Sequence, residues 1–581
     1  MGIFNQVSVK KPSRTAFNLS YANKLSTGFG DLTPMLLEKV VPTDKFKISD
    51  EFMVRFAPLF GQLFQAIKLR TEYFFVPSRL LWDNFEVFYS QGVNGLNQSV
   101  HPYVNLDLIQ DWFDANSVST VGSILDYFNL PTDLNKNLLR PTLIDALPFY
   151  AYCKAFLDYY ADENLNYLPL VQFLEQDGQL AINGDNTYRV AWLLAACHIM
   201  GSSFDFSSFQ VGYNANNAWP SLAISPDLCF APFKRSYPKD YFTSALPFAQ
   251  RGPIVQIPLD GTGDVTVTTG SSVNRYNNVA MTVSNTPNPD GTYDVVMYND
   301  GSKSGTINSV PLHSPNLTNE NIAFKAVNIN GTATITDLRT AAVVQQWLEK
   351  KARTGGRFKE TLLGIFGASS KDSRLQRTQF LNGFSSTVKV GEVFTTAQDD
   401  SGSFVPGLGV SVGQLADGNK GFKRYFDEPG YCIGLVSFYP TASYYQGIPR
   451  QFLELDVMDY YWPDFQGIGE QAIQNQELFC AANGRDLTFG YAPRYSHYKS
   501  RTSQIHADFR GSLDYMTLAR KFSSLPTLSN SFVQVLPSVN DLYRCFNATG
   551  QWANSKPVYV DIYHHFKAIR PMQYFGNPRL L

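Results

Sequence analysis

The sequence reads as a mainly β fold, one sheet-based domain whose strands lie far apart in the chain and are separated by long, partly helical insertions. Three observations lead there. Of the 581 residues 14% are aromatic and only 17% charged, the balance of a packed protein rather than of a coiled coil or a disordered tail. The 41 Gly and 32 Pro punctuate short apolar runs instead of long periodic ones. Strand-like chemistry appears near both ends and encloses segments of different composition, and no repeat of 20 to 50 residues is present, so the ends are expected to share one sheet system.

Residues 1–30 hold Lys10, Lys11, Arg14 and Lys24 with no acid, a basic N-terminal arm. The following stretch FKISDEFMVRFAPLFGQLFQAIKLRTEYFFV is rich in Phe, Ile and Val and is broken by Pro58 and Gly61, which fits strands better than one helix. Residues 83–188 carry 14 Asp and Glu against Lys136, Arg140 and Lys154, so this part of an acidic, partly helical insertion at 83–230 must face solvent or a cationic partner. Within it, Phe149, Cys153, Phe156 and Tyr160 recur at helical spacing in LPFYAYCKAFLDYY, and a second helix is expected over Val190 to Met200.

Composition then shifts. Of the 70 residues from Gly261 to Asn330, 34 are Gly, Ser, Thr or Asn, which marks an exposed insertion at about 255–335; DVTVTTG and TYDVVMYNDG predict short hairpins in it. Such an excursion serves recognition or spacing, or is a tolerated loop. In DLRTAAVVQQWLEKKAR, Leu338, Val344, Trp347, Leu348 and Lys351 outline an amphipathic helix over Asp337 to Arg353 that Thr354-Gly355-Gly356 stops. Residues 350–377 are strongly basic, with eight Lys and Arg against Glu360 and Asp372. From Gly383 on, runs such as IGLVSFYP return to strand chemistry.

The formal net charge of −2 argues against coating nucleic acid by bulk positive charge, though not against local patches. The start MGIFNQVSVKKPSRTAF lacks the order of a signal peptide, and no apolar run approaches eighteen residues, so membrane insertion is not expected. Six cysteines at 153, 197, 229, 432, 480 and 545 form no CxxC pair and are expected to be reduced thiols. His564 and His565 are adjacent and would face opposite sides of a strand, and His497 and His506 lack supporting ligands, so no metal is expected. There is no Walker A loop, and Gly407, Gly409 and Gly413 have the wrong spacing for a dinucleotide; no cofactor is expected.

Two patterns carry chemistry. In LELDVMDYYWPDF, Glu454 and Asp456 would share a strand face near Asp459 and Asp464, with Tyr460, Tyr461 and Trp462 able to stack on sugars, the ingredients of glycoside hydrolysis; solvated or paired acids are the plainer reading. In GYAPRYSHYKSRTSQIHADFR, Arg494, Lys499, Arg501 and Arg510 alternate with Tyr491, Tyr495, Tyr498 and Phe509. That is the chemistry of a single-stranded nucleic acid surface, although ordinary sheet faces also mix Tyr and Arg.

Several blocks, in order along almost the whole chain, resemble the major capsid proteins of the Microviridae, the gokushovirus branch in particular: FNLSYANKLSTGFGDLTPMLLEKVVPTDKFKIS, FFVPSRLLWDNFEVF, DLRTAAVVQQWLEKKARTGGRFKETLLGIFG, YYWPDFQGIGEQAI, FGYAPRYSHYKSRTSQIHADFR and the ending FGNPRLL. The resemblance implies an eight-stranded viral jelly roll over 31–581, sixty copies in a T=1 icosahedral shell, and an enclosed circular single-stranded DNA genome. It also implies an internal scaffolding protein, a DNA pilot protein, a small basic DNA-binding protein, a virion location after assembly in the bacterial cytoplasm, and no enzymatic activity. The 255–335 insertion corresponds in position to the family's outward protrusion, which implies a host cell-surface receptor. Lys10, Lys11 and Arg14 of the arm, with Arg494, Tyr495, Lys499, Arg501 and Arg510, are the residues expected to meet DNA on the inner surface. Trp82, Trp347 and Trp462 are expected to anchor core or interface. A phage adhesin and a carbohydrate-active enzyme remain the rival readings.

Overall fold

The computed structural model describes residues 13–61, 63–90, 99–115, 117–132, 143–162, 164–165, 194, 230–252, 274–276, 279–283, 293–299, 302–310, 335–354, 363, 371–388, 412–415, 421–480, 483–546 and 556–575. In chain order its principal elements are β1 (Thr15–Asn18), β2 (Tyr21–Thr27), β3 (Thr33–Val40), β4 (Lys45–Phe56), β5 (Ile67–Pro77) and α1 (Leu147–Tyr159). Then come β6 (Asn274–Tyr276), β7 (Val279–Val283), β8 (Tyr293–Asn299), β9 (Ser302–Val310) and α2 (Ile335–Thr354). The remainder holds β10 (Gln379–Val388), β11 (Val412–Leu415), β12 (Phe422–Tyr425), β13 (Gly430–Pro440), β14 (Glu470–Gln474), β15 (Thr488–Pro493) and β16 (Val558–Arg570).

Two antiparallel sheets form the core. In the first, β16 lies between β4 on one side and β1 and β2 on the other, while β11 and β12 pair in series along the far edge of β4. The second runs β10-β5-β13-β3. β4 shows why the first sheet is one-sided: in KFKISDEFMVRF every second residue is buried, Phe46, Ile48, Phe52, Val54 and Phe56 pointing inward while Lys47, Glu51, Met53 and Arg55 stay exposed. β16 alternates likewise, with Val558, Val560, Ile562, Phe566 and Ala568 facing the same core. Asp50 and His564 occupy inward positions in this pattern and are fully buried, joined Nδ1 to Oδ1 at 2.7 Å, whereas the neighbouring His565 is exposed and meets Glu51 at 3.0 Å.

β13, GYCIGLVSFYP, is buried at every position because both of its faces are covered. Cys432, Val436 and Phe438 face the first sheet, and Tyr431, Ile433 and Leu435 face a second core built around α1. That helix carries Pro148 in its first turn and is buried nearly all round, as a helix without a polar face must be. The predicted helix in LPFYAYCKAFLDYY is thus this one. Of Val190 to Met200 only Leu194 is described, helical and buried in the same core.

Two carboxylates attach the segment around Arg235 to the sheets. Glu72 of β5 takes Arg235 at 2.7 Å, Arg70 at 2.8 Å and the Tyr160 hydroxyl at 2.5 Å. Burial alone would raise its pKa, but these partners hold the carboxyl below the usual range. Asp31 accepts the Gly28 N–H at 3.1 Å and binds Lys234 and, at 3.4 Å, Lys556. Beside it Gly30, at φ +80, donates to Phe438 O, and its own carbonyl accepts Arg235 N–H at 2.7 Å; a Cβ there would stand 2.2 Å from Val535 O. Three distant segments converge at that glycine because it has no side chain.

By internal contacts the chain divides into two units, Met1–Gly252 with Leu348–Leu581, and Pro253–Trp347. The second holds the antiparallel sheet β9-β8-β7-β6. β8 and β9 form a hairpin where TYDVVMYNDG predicts one; DVTVTTG lies outside the described residues. α2 ends at Thr354 as expected, but its apolar stripe is largely uncovered: Leu338, Val344 and Trp347 are exposed, and only Leu348 is buried, its methyl groups against Gly252. The three tryptophans divide accordingly, Trp82 in the core and Trp347 and Trp462 about half exposed. Among the described residues Cys153, Cys432, Cys480 and Cys545 are free thiols, and no helix is long and apolar enough to cross a membrane.

Candidate nucleic-acid interface

The basic, aromatic stretch lies in the long connection between β13 and β16, just after β15. β14 and β15 pair antiparallel, Glu470 opposite Pro493, and the chain then turns through Tyr495, whose φ of 64 is left-handed, into a single helical turn at Ser496–Lys499. Tyr495 pays for that unusual backbone with good anchoring: its hydroxyl donates to Tyr460 O at 3.1 Å and accepts from Trp462 N–H at 3.3 Å, and its own N–H reaches Gln471 Oε1 at 3.3 Å. The ring is fully buried, with Tyr461 and Tyr498 edge-on at 5.0 and 6.1 Å. It therefore offers no open face to a base.

Arg494 is half-buried, its guanidinium 5.7 Å from the Phe465 ring centre and 5.2 Å from that of Tyr495, and it donates to Met458 O at 3.2 Å. The next three cations differ. Lys499 and Arg501 are exposed on either side of Ser500, and Arg510 is exposed with its Nε donating to Ile505 O at 2.6 Å. Arg501 and Arg510 line the mouth of an open cleft of about 660 Å³ that also receives His506, His497, Tyr498 and Phe452. Its floor is Arg450, bonded to Glu477 at 2.8 Å, with the Tyr241 hydroxyl donating to the other Glu477 oxygen at 2.8 Å. Burial and this carboxylate push the Tyr241 phenol far above its ordinary range, so it stays a donor. The basic stretch alone did not reveal Arg450 and Tyr241, which reach the cleft from separate parts of the chain; nothing in their local sequence marks them.

Near the start of the chain, Arg14 is exposed and stands 5.5 Å over the Tyr425 ring, beside the start of β1, where Thr15 pairs with Arg570. Lys10 and Lys11 lie outside the described residues.

The acidic run does not form the strand its alternation suggested. Between Arg450 and Gly467 the backbone makes two 3-10 turns and bends, so Glu454 and Asp456 share no strand face. Local bonds explain the difference. Asp459 Oδ2 accepts the N–H groups of Leu455 and Asp456 at 3.3 and 3.1 Å, closing a turn. Glu454 accepts from Tyr498 O–H at 3.1 Å and sits 2.8 Å from His497 Nε2. Desolvation, then this carboxylate, raise the Tyr498 phenol. These acids serve the loop's geometry. Among the described residues no three His, Cys, Asp or Glu side chains are placed to hold a metal ion.

Comparison with known proteins gives one consistent result. A family model described as "Capsid protein (F protein)" matches residues 5–580. A "Capsid protein VP1" of Chlamydia phage 1 is 28% identical over 633 residues, covering 99% of this chain and 97% of the relative. One of Bdellovibrio phage phiMH2K is also 28% identical, over 589 residues with the same coverage, and one of Spiroplasma virus 4 is 24% identical over 591 residues, 98% and 95% of the two chains.

Proposed function

The chain belongs to the capsid protein (F protein) family and is a major capsid protein of the Microviridae type, and from that premise we propose that sixty copies close into a T=1 icosahedral shell around a circular single-stranded DNA genome. Capsid assembly and a virion location follow from the family; assembly in the bacterial cytoplasm, a scaffolding protein, a pilot protein and a small basic DNA-binding protein belong to the proposal.

The observation that supports it most directly is strand order. Counting β1 with β2, and β11 with β12, as single positions because each pair lies in series along one partner, there are eight positions. Numbered along the chain, they are ordered 1-8-3-6 in one sheet and 5-4-7-2 in the other. Successive strands that cross between sheets in this manner support the reading of a jelly roll, the architecture that resembling capsids use for a closed wall. In this reading the long connections after β5 and β13 supply the surfaces through which copies meet.

In this reading the arm (Lys10, Lys11, Arg14) and the exposed cations Lys499, Arg501 and Arg510 meet phosphates on the inner surface, while Arg494 and Tyr495 hold the segment that carries the latter three. The 255–335 insertion projects outward and contacts a host receptor. A structural role, not catalysis, accounts for the acidic run, in which the Glu454, Asp456 and Asp459 carboxylates are engaged in turn and side-chain bonds.

Sedimentation of particles tests the proposal. Sixty chains of 65.1 kDa amount to about 3.9 MDa of protein. Alanine at Lys10, Lys11 and Arg14 together should leave that protein mass while lowering packaged DNA. Wild-type protein that stays a trimer or a monomer under assembly conditions favours the adhesin or enzyme reading, and variant particles with full DNA content remove the arm from the interface.

A further inference from the structure

We infer that the ridge from Phe452 to Ile468 is a contact surface for a second copy of this chain. The inference rests on the chain being a capsid protein, not on its DNA contacts. Leu455 is 90% exposed, Val457 67%, Ile468 57%, Tyr460 55% and Met458 52%. A soluble protein rarely concentrates so much apolar side chain in one exposed segment unless something covers it.

The ridge is a built feature rather than a loose loop. Its backbone is held from below, by Arg494 to Met458 O, Tyr495 to Tyr460 O, and Trp462 Nε1 to Val457 O at 2.9 Å. Asp456 and Asp459 close the turn at Leu455 and Val457, Asp456 Oδ1 accepting Val457 N–H at 2.6 Å. With those polar groups satisfied locally, the side chains of Leu455 and Val457 face outward in a fixed arrangement, so little order remains to be imposed on binding. Such a preorganised apolar knob is suited to a partner that meets it in one geometry.

Charge selects the kind of contact. From Phe452 to Ile468 the sequence has Glu454, Asp456, Asp459 and Asp464 and no Lys or Arg. Two such ridges facing each other across a twofold axis would bring like charges together, so the ridge meets a different, cation-bearing surface of the second copy. The whole chain holds 48 Lys and Arg against 50 Asp and Glu, so a ridge whose exposed charges are Asp456 and Asp464, with Arg494 half-buried beneath it, leaves compensating cations elsewhere on every copy. A heterologous contact of this type closes into a ring when repeated about a symmetry axis.

The test uses Leu455→Asp with Val457→Asp in the full chain, and Leu487→Asp, another strongly exposed leucine outside the ridge, as control. Soluble expression and far-UV circular dichroism report folding, and sedimentation reports shells. The double variant is expected to stay folded and to lower shell yield at least about tenfold, the scale of losing central apolar anchors, while the control assembles normally. Shells at wild-type yield overturn the inference. So does normal assembly with impaired adsorption, which would make the ridge a receptor surface, or equal loss in the control. If the double variant misfolds, Leu455→Cys in a Cys480→Ser background decides: maleimide labelling at 455 should fall about tenfold from free protein to shells, and equal labelling overturns the assignment. A wild-type chain that forms no shell at all would instead sink the capsid reading itself.

Discussion

Replacing Lys499, Arg501 and Arg510 together by Gln should flatten the salt dependence of single-stranded DNA binding by a calculable amount. All three are exposed, and none bonds to the buried framework that holds Tyr495, so the substitutions leave the fold intact. Each phosphate contact to a single strand contributes about 0.7 to the slope of log affinity against log salt, so three contacts contribute about 2. Between 50 and 200 mM salt, a fourfold change, wild-type protein should therefore lose about 16-fold more affinity than the variant. Fluorescence anisotropy of a labelled oligo-dT against unassembled protein at several salt concentrations measures both slopes. Arg494→Gln is the informative contrast, because its guanidinium is engaged with Met458 O and two rings, and its slope should match wild type. Parallel lines for the triple variant and wild type would refute the assignment of these cations to phosphates, and a slope change for Arg494→Gln alone would show that the framework arginine, not the exposed trio, makes the contact.

Two further outcomes follow from the framework. Asp31→Asn leaves Lys234 and Lys556 without their shared carboxylate; since both lysines are about one quarter exposed and can rehydrate, the cost should be about 2 to 3 kcal/mol, below the full penalty for a broken buried pair. Burial would raise the Asp31 carboxyl, but the two ammonium groups outweigh it and hold the pKa low. Its contribution is present above the unfolded value near about 3.9 and is lost as pH falls through the lower folded value, so denaturation midpoints of wild type and variant should converge below about pH 4; a constant gap would contradict this. Excising the second unit, Pro253–Trp347, through a short Gly-Ser linker should leave shells able to form, because Arg251 N and Leu348 O, which flank that unit, already lie 3.5 Å apart. Adsorption should drop about 100-fold with the loss of multivalent contact, and failure of shells to form would make the insertion an assembly element.

What the sequence disclosed was local. The Phe-, Ile- and Val-rich run broken by Pro58 and Gly61 announces strands, and IGLVSFYP announces another; that β4 has one dry face and β13 is covered on both is set by what packs on them. LPFYAYCKAFLDYY and the stop after Arg353 likewise follow from spacing and glycine chemistry. What stayed hidden depends on partners distant in the chain. Nothing near Thr15 says that it lies opposite Arg570. The alternation of LELDVMDYYWPDF gives way because Asp459 bonds the backbone before it. Tyr495, interleaved with cations exactly as an exposed stacking ring would be, is buried because a left-handed turn directs it under Tyr460 and Trp462. The apolar side chains of α2 spell an amphipathic helix, yet of that stripe only Leu348 is buried, so periodicity identified the helix without identifying what covers it.

The placement of β16 carries a consequence for how the protein is made. This strand, Val558–Arg570, is the centre of a sheet whose other long member, Lys45–Phe56, leaves the ribosome some 500 residues earlier. At about 5 to 20 residues per second that interval is about 25 to 100 s, during which the inward row of Phe46, Ile48, Phe52 and Val54 has no neighbour on the side where β16 will pair. A truncated chain that ends before 558 lacks the strand against which β1, β2 and β4 all align. The first sheet is therefore completed last: until Val558–Arg570 is made, β4 on one side and β1 with β2 on the other lack the neighbour they share.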